Sequence, residues 1–352
     1  MAGLFGLFDY TKEGPGVDPD APPKGPVAVF FGVLGRKFWK ICTISIMYSV
    51  FSIPSLVLAF FVSNVLYSSF LPLLTIENMT EVFKGVQLGE GVTPEQLSAL
   101  FFLIMTLIFT YLITGLGYVV VGPTQAGVTY LLRNYSREEH AFVWSDFVEH
   151  ARKNLKQSLA VSFLTLLAVV TVPVAIRFYS DSIGNNILRL LLVSFLTIAG
   201  VIFTIMLMYI YQMMVTFELT VRQLLKNAFL FSILRLPFNV LAVIGQLFII
   251  GLIPALIMYM LGGLGVFISA LYMILFGYGA NLLLVNFFVN RQVMRFMIRP
   301  MEESQEPVDD YVYAEDDYDV ELIPDDREEK DEGTAESGDD AIGLPEPNHS
   351  PA

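Results

Sequence analysis

Half of this chain, 176 of 352 residues, falls into five runs that contain no Asp, Glu, Lys or Arg. They are Ile41 to Ile76, Gln96 to Leu132, Gln157 to Ile176, Leu190 to Phe217 and Leu236 to Asn290. Because roughly 20 apolar residues cross the hydrocarbon core as a helix, the first four runs predict one span each. The fifth is too long for one helix and carries Gly262-Gly263-Leu264-Gly265 near its middle, where a tight turn meets no steric penalty. It predicts two spans. Leu, Ile, Phe and Met fill the runs continuously instead of alternating with polar residues, which favours helices over a barrel. The expected fold is all-α: a polytopic membrane bundle of six transmembrane helices near residues 41–71, 97–121, 157–177, 188–213, 237–261 and 265–289.

Polar residues at the run edges predict where helices begin. Thr93-Pro94-Glu95-Gln96 is a capping box with proline at the first helical position, and Thr220 to Gln223 and Ser136 to Glu139 repeat the cap pattern. Ser145 is a candidate cap for an interfacial helix feeding the third span, with Phe147, Val148, Ala151, Leu155 and Leu159 on its apolar face. Pairs four apart, Glu149 with Lys153 and Glu218 with Arg222, stand in the favourable order for helical ion pairs. Arg36 and Lys40, Arg152 and Lys156, and Arg222 and Lys226 each place two bases four apart before an odd-numbered span. Residues 152–157 and 222–227 align at a 70-residue offset. A parallel repeat of helical hairpins and simple snorkelling of bases at one boundary both account for this.

Charge then sets orientation. With the N-terminus inside, sixteen Lys and Arg fall on the cytoplasmic connections and only Lys84, Arg177 and Arg189 on the other side. Both termini are therefore expected in the cytoplasm and the bundle in the plasma membrane, with the first span acting as its own targeting signal. The net charge of −13 misleads about the body of the protein: residues 301–352 alone hold twenty acids against Arg327 and Lys330. What remains is mildly basic, as suits a rim facing anionic headgroups. Four regions result: a cytoplasmic segment 1–40, a six-helix domain 41–290, a basic boundary segment 291–300 and an acidic tail 301–352 expected to be disordered. Within the tail, Tyr311, Tyr313 and Tyr318 stand among carboxylates. A solvating brush and a docking motif are both consistent with that composition. The single Cys42 excludes a disulfide within the chain.

Several blocks occur in an order that resembles the YesL-like family of uncharacterised bacterial membrane proteins. They are Arg36-Lys37-Phe38-Trp39-Lys40, Gly122-Pro123-Thr124-Gln125-Ala126-Gly127, Tyr130-Leu131-Leu132-Arg133-Asn134, Trp144-Ser145-Asp146-Phe147 and Lys153-Asn154-Leu155-Lys156-Gln157, then Phe217-Glu218-Leu219-Thr220, Gln223-Leu224-Leu225-Lys226-Asn227-Ala228 and Pro237. The similarity spans roughly residues 30 to 300 and departs in the stretch between Pro54 and Gly122 and in the acidic tail. It implies Gly122, Pro123, Arg133, Asn134, Trp144, Asp146, Lys156, Glu218, Gln223, Lys226, Asn227 and Pro237 as motif residues. It implies a setting of carbohydrate uptake by ABC transporters, and no reaction.

Chemistry is sparse. Glu138, Glu139, His140, Asp146, Glu149 and His150 form the densest reactive cluster, but without metal-ligand spacing. Phosphate-binding glycine loops and the constellations of intramembrane proteases are absent from the sequence, so neither cofactor nor catalysis is expected. Neutral polar residues in the runs, Asn64, Gln246 and Asn281 foremost, are candidates for a solute path, although such groups more often bond neighbouring helices. The sequence thus predicts a non-enzymatic membrane protein acting as an accessory or assembly partner of a transport system. Its expected partners are the bilayer, ABC-transporter subunits or a second copy of itself, and not nucleic acid. The alternative is a facilitator for a small neutral solute.

Overall fold

A computed structural model describes residues 25–86, 89 and 91–299. The amino-terminal 24 residues and the acidic tail, with its tyrosine motif, lie outside the described residues. The described chain is helical throughout. Five helices are long and apolar enough to cross a membrane: Ile53–Phe70, Pro94–Gly115, Leu155–Ser182, Asn186–Thr216 and Leu236–Ile298. Their outward faces carry large apolar side chains such as Leu191, Phe195 and Ile198. An apolar surface of that extent belongs in lipid.

The last of the five is bent back on itself. Gly262 takes φ 54° and ψ −127°, a conformation that any Cβ would strain, and divides it within the predicted glycine turn. On the incoming side, α11 (Leu236–Leu247) runs through a π-helical turn, Phe248–Leu252, into α12 (Ile253–Tyr272). Pro254, which has no N–H to give one turn back, lies two residues past that π turn. On the outgoing side come a second π turn, Met273–Gly277, then α13 (Tyr278–Val293) and a third π turn, Met294–Ile298.

Three units of the same plan follow one another. Each begins with a short helix, makes a one-residue break, and continues as two long antiparallel segments. The short helices are α1 (Pro26–Arg36), α7 (Val143–Lys153) and α10 (Val221–Leu234). Their breaks fall at Lys37 (φ −106°, ψ 17°), Asn154 (φ −98°, ψ 12°) and Arg235 (φ −118°, ψ 26°). In each unit the residue four beyond the break, Ile41, Ser158 or Asn239, donates its N–H to the break residue's carbonyl at 2.9 Å. All three are fully buried. The hairpin repeat is therefore present in the backbone, but in a different register from the sequence alignment. Asn154 and Arg235 are 81 residues apart, not 70, because the aligned bases sit at the end of α7 in one unit and at the start of α10 in the other.

The first long segments are α2 with α3 (Phe38–Phe51 and Ile53–Phe70), α8 (Leu155–Ser182) and α11 with α12. The second are α5 (Pro94–Gly115) with α6 (Gly122–Ser136), α9 (Asn186–Thr216), and α13 with the helix leading to it. A small amphipathic helix, α4 (Ile76–Lys84), packs on α5 in the connection between α3 and α5. At the centre α6, α9 and α13 pack on one another, while α2 packs on α13, α8 on α6, and α11 on α9. The order closes on itself, so each hairpin leans on the one before it.

Two glycines set the closest of these contacts. A Cβ on Gly122 would lie 2.2 Å from the Ser158 carbonyl oxygen and 2.6 Å from Ser162 Oγ. One on Gly279 would lie 2.6 Å from the Ile41 carbonyl oxygen. These are the residues four and eight beyond a break, so α6 seats on the second unit as α13 seats on the first. Ser45 Oγ completes the second seat, accepting from Gly279 N at 3.1 Å and donating to Met273 O at 3.2 Å.

Two expected helix starts are corrected. Ser136 ends α6 instead of opening a helix: its hydroxyl donates back to Leu132 O at 2.8 Å, and the chain leaves the helix through Glu138 at φ 63°. At α7 the N-cap residue is Phe142, whose N–H donates to Asp146 Oδ2 at 2.9 Å, while Ser145 lies inside the first turn. The break at Asn154 also turns Leu155 and Leu159 away from the α7 face that buries Phe147, and both are exposed. The boxes at Thr93 with Gln96 and at Thr220 with Gln223 are formed in full.

Overpacking a close helix contact costs about 1–3 kcal/mol. Gly122→Ala is expected to lower the midpoint of thermal unfolding in detergent accordingly, and Gly184→Ala, with open space around its Cβ, to leave it unchanged. Equal midpoints would show that α6 does not seat on Ser158 this tightly.

Candidate functional site

The basic segments meet at one end of the bundle through direct contacts. Lys37 Nζ donates to Glu139 O at 3.0 Å, and Arg36 pairs with Glu138. Arg137 Nε donates to Asn290 Oδ1 at 3.1 Å. Burial, then the neighbouring Lys40, pulls Lys37 below the usual lysine range, and its ammonium lies 4.5 Å from the centre of the Tyr135 ring.

Within this rim a cleft of about 640 Å³ opens between the α7–α8 junction and the α9–α10 connection. One wall is His150, Arg152, Lys153, Asn154, Leu155, Lys156 and Gln157, and the other runs from Met214 to Thr220. Two of the sequence blocks, 153–157 and 217–220, thus face each other across it. Gln157 Nε2 donates to Leu219 O at 2.7 Å and closes the floor. Three bases and His150 stand against the single acid Glu218, so the cleft favours an anionic occupant.

Arg133 fastens the cleft to the central helix. Its guanidinium donates to Val215 O at 2.8 Å and, through Nη2, to Asn134 Oδ1 at 3.2 Å, and lies 4.7 Å from the Tyr130 ring centre. Burial, then Arg137, pulls it below its ordinary value. A guanidinium remains cationic there, and its fixed fork suits two acceptors at once. On the other face of Tyr130 the His150 ring stacks at 3.3 Å, with Nδ1 3.0 Å from Asp146 O. The reactive cluster of the sequence is therefore dispersed. Glu138 is held by Arg36, Asp146 accepts from Phe142 at the start of α7, and His150 is part of a stack.

The remaining motif residues have local structural roles. Gly122 and Pro123 open α6, Gln223 closes the capping box with Thr220, and Pro237 stands in the first turn of α11. Trp144 is exposed on α7 beside Phe147, and Lys226 and Asn227 lie on α10 outside the cleft lining. Neither expected i, i+4 ion pair forms among the described residues, where the pairs are Arg36–Glu138 and Arg177–Asp181. Glu218 sits in the non-helical link before α10, out of helical register with Arg222, and Lys153 turns into the cleft.

The proposed solute-path residues are not joined by any hydrogen bond among the described residues. Asn64 is half-buried on α3, and Asn281 on α13 spends its amide on Gly115 O at 2.8 Å. Gln246 on α11 is buried with Nε2 unpartnered. The buried hydroxyls of Ser52, Tyr111 and Tyr278, which the apolar runs did not mark, form no hydrogen bond among the described residues, and neither does that of Thr114. Tyr48 packs 5.6 Å from Tyr278, ring centre to ring centre. Tyrosines in apolar runs read as core side chains, and nothing in their spacing distinguished these.

A family model described as a protein of unknown function, DUF624, matches residues 97–174. The match takes in α6, α7, Arg133 and one wall of the cleft. No curated protein and no solved structure matches the chain. The class defined by fold and match is a helical membrane protein with a segment similar to that family of unknown function.

Leaving a part-buried carbonyl such as that of Val215 without its donor costs up to roughly 1–3 kcal/mol. Arg133→Leu is expected to lower the thermal midpoint by that amount, and Arg133→Lys to recover only part of it, since an ammonium cannot serve Val215 and Asn134 together. Full recovery by lysine would reduce the role of Arg133 to charge alone.

Proposed function

We propose that the protein is a six-span, non-enzymatic protein of the plasma membrane, with both termini cytoplasmic, that acts by binding at its basic rim. In this reading it is an accessory or assembly partner of a membrane transport system. The observation that carries the reading is the convergence of residues 153–157 and 217–220, distant in sequence, on one open cleft at the ends of the spans. The likeness of these blocks to the YesL-like family points to carbohydrate uptake by ABC transporters as the setting, with transporter subunits or a second copy of the chain as the contact. A helix or loop presenting acidic side chains suits a cleft of three bases and one acid.

A second reading, a facilitator for a small neutral solute, draws on the unpartnered buried groups at Tyr111, Thr114, Tyr278 and Gln246. These are the places where ordered water or a polar solute would be accommodated.

Mass spectrometry of proteins that co-purify with the full-length chain in mild detergent separates the two. Transporter subunits are expected with the native chain and at least tenfold less with Lys153→Glu/Lys156→Glu at equal expression, since reversing two rim charges juxtaposes like charges across the contact. Recovery of the same subunits with the variant would remove the cleft from the contact. If no transporter subunit is recovered at all, and Gln246→Leu abolishes solute flux in liposomes, the facilitator reading replaces the accessory one. Reporter enzymes fused to either end are expected to report a cytoplasmic location, and a signal from the opposite side would invert the topology.

A further inference from the structure

A second cavity at the same rim differs from the first in chemistry. It is a groove of about 890 Å³ between α1, α11 and α13, and it shares no lining residue with the cleft. Its wall is apolar and largely aromatic, with Phe30, Phe31, Phe238, Leu241, Phe287 and Phe288. Its upper edge is cationic, with Arg291, Arg295 and Arg299.

The three arginines are spaced four apart and run from the end of α13 through the π-helical turn Met294–Ile298. In an α-helix each step of four overshoots a full turn by about 40°. The wider π turn takes more residues per turn and offsets that drift, so the row stays along one edge of the groove. All three side chains are exposed. Among the described residues no carboxylate lines the groove and none of the three arginines is in an ion pair. The cations are instead balanced weakly by ring faces: Arg291 lies 5.9 Å from the centre of Phe287, and Arg295 lies 5.4 Å from that of Phe296. The adjacent Arg235 lies 4.1 Å from the same Phe296 ring. An arginine on a ring keeps its donors free for a further acceptor.

We infer that this groove is a binding site for one anionic phospholipid. The phosphate accepts from Arg291, Arg295 and Arg299, and an acyl chain lies along the wall from Phe287 to Phe238 and Leu241. An aromatic trough whose Phe31, Phe238 and Leu241 are exposed, beside a row of arginines, matches a molecule with an anionic head and an apolar tail in both charge and polarity. A soluble anion would leave the trough unfilled, and a zwitterionic lipid would set its own cation against the arginine row.

The test is native mass spectrometry of the full-length protein, delipidated in detergent and titrated with phosphatidylglycerol or phosphatidylcholine. Retention of one phosphatidylglycerol per chain, at least tenfold tighter than phosphatidylcholine, is expected. The combined variant Arg291→Gln/Arg295→Gln/Arg299→Gln is expected to weaken it by on the order of a hundredfold, each base near an anionic headgroup contributing about fivefold. The matching lysine variant keeps most of the binding and controls for folding, and Lys153→Glu/Lys156→Glu in the separate cleft leaves it unchanged. Equal retention of the two lipids, or full retention by the glutamine variant, overturns the assignment. So does hydrogen-exchange protection of residues 301–352 that the glutamine variant abolishes while no lipid is retained selectively, since the groove would then serve the chain's own acidic tail.

Discussion

Packing one apolar helix on another gains nothing from the hydrophobic effect inside a bilayer, because lipid tails are as apolar as leucine. Cohesion must come from backbones that approach closely enough for dispersion and polar contacts to act. In this protein that approach is concentrated where Gly122 meets the backbone of Ser158 and Gly279 meets that of Ile41. Each glycine seats a central helix on the first turns of another hairpin. Placement of α6 and α13, and with them the rim they end on, depends on these seats.

The seats in turn depend on the one-residue breaks that precede them. A short helix lying along the rim cannot continue straight into a span. Lys37, Asn154 and Arg235 each leave helical geometry for one residue, and the following segment restarts from the carbonyl of that residue. Polar side chains relieve the local cost: Asn154 Nδ2 donates to His150 O at 2.9 Å, and Asn239 Nδ2 to Phe231 O at 3.0 Å. The same carboxamide accepts from Tyr209 at 2.6 Å, tying the third hairpin to the second. Asparagine inside these spans is a fastener between helices, which is its commoner role in membranes.

Because three hairpins deliver their short helices to the same rim, the rim gathers bases from every unit and leaves spaces between the units. The cleft beside α8 and the groove beside α11 are two such spaces. They differ because α7 and the α9–α10 link bring lysines and a polar backbone, whereas α1 and α11 bring phenylalanines. Both openings lie at the seams between repeated units and not within any one span.

The sequence by itself determined the helical class, the long apolar segments and the turn at Gly262, because hydrocarbon solvent imposes a composition that no tertiary contact can override. It also marked the blocks around Lys156 and Glu218, but not that they face each other, since their meeting depends on two connections whose paths are set by packing. Ser136 looked like a helix start because cap patterns are local, whereas the chain leaves the helix through Glu138, which meets Arg36 from the far end of the same unit. The two ion pairs expected at four-residue spacing fail for different reasons: Glu218 lies outside α10 and so out of register with Arg222, whereas Glu149 and Lys153 share α7 but Lys153 lines the cleft instead. The seating role of Gly122 and the burial of Tyr278 were likewise decided only by the tertiary structure, because what a glycine or a tyrosine does in an apolar helix depends on which neighbour's backbone comes within reach.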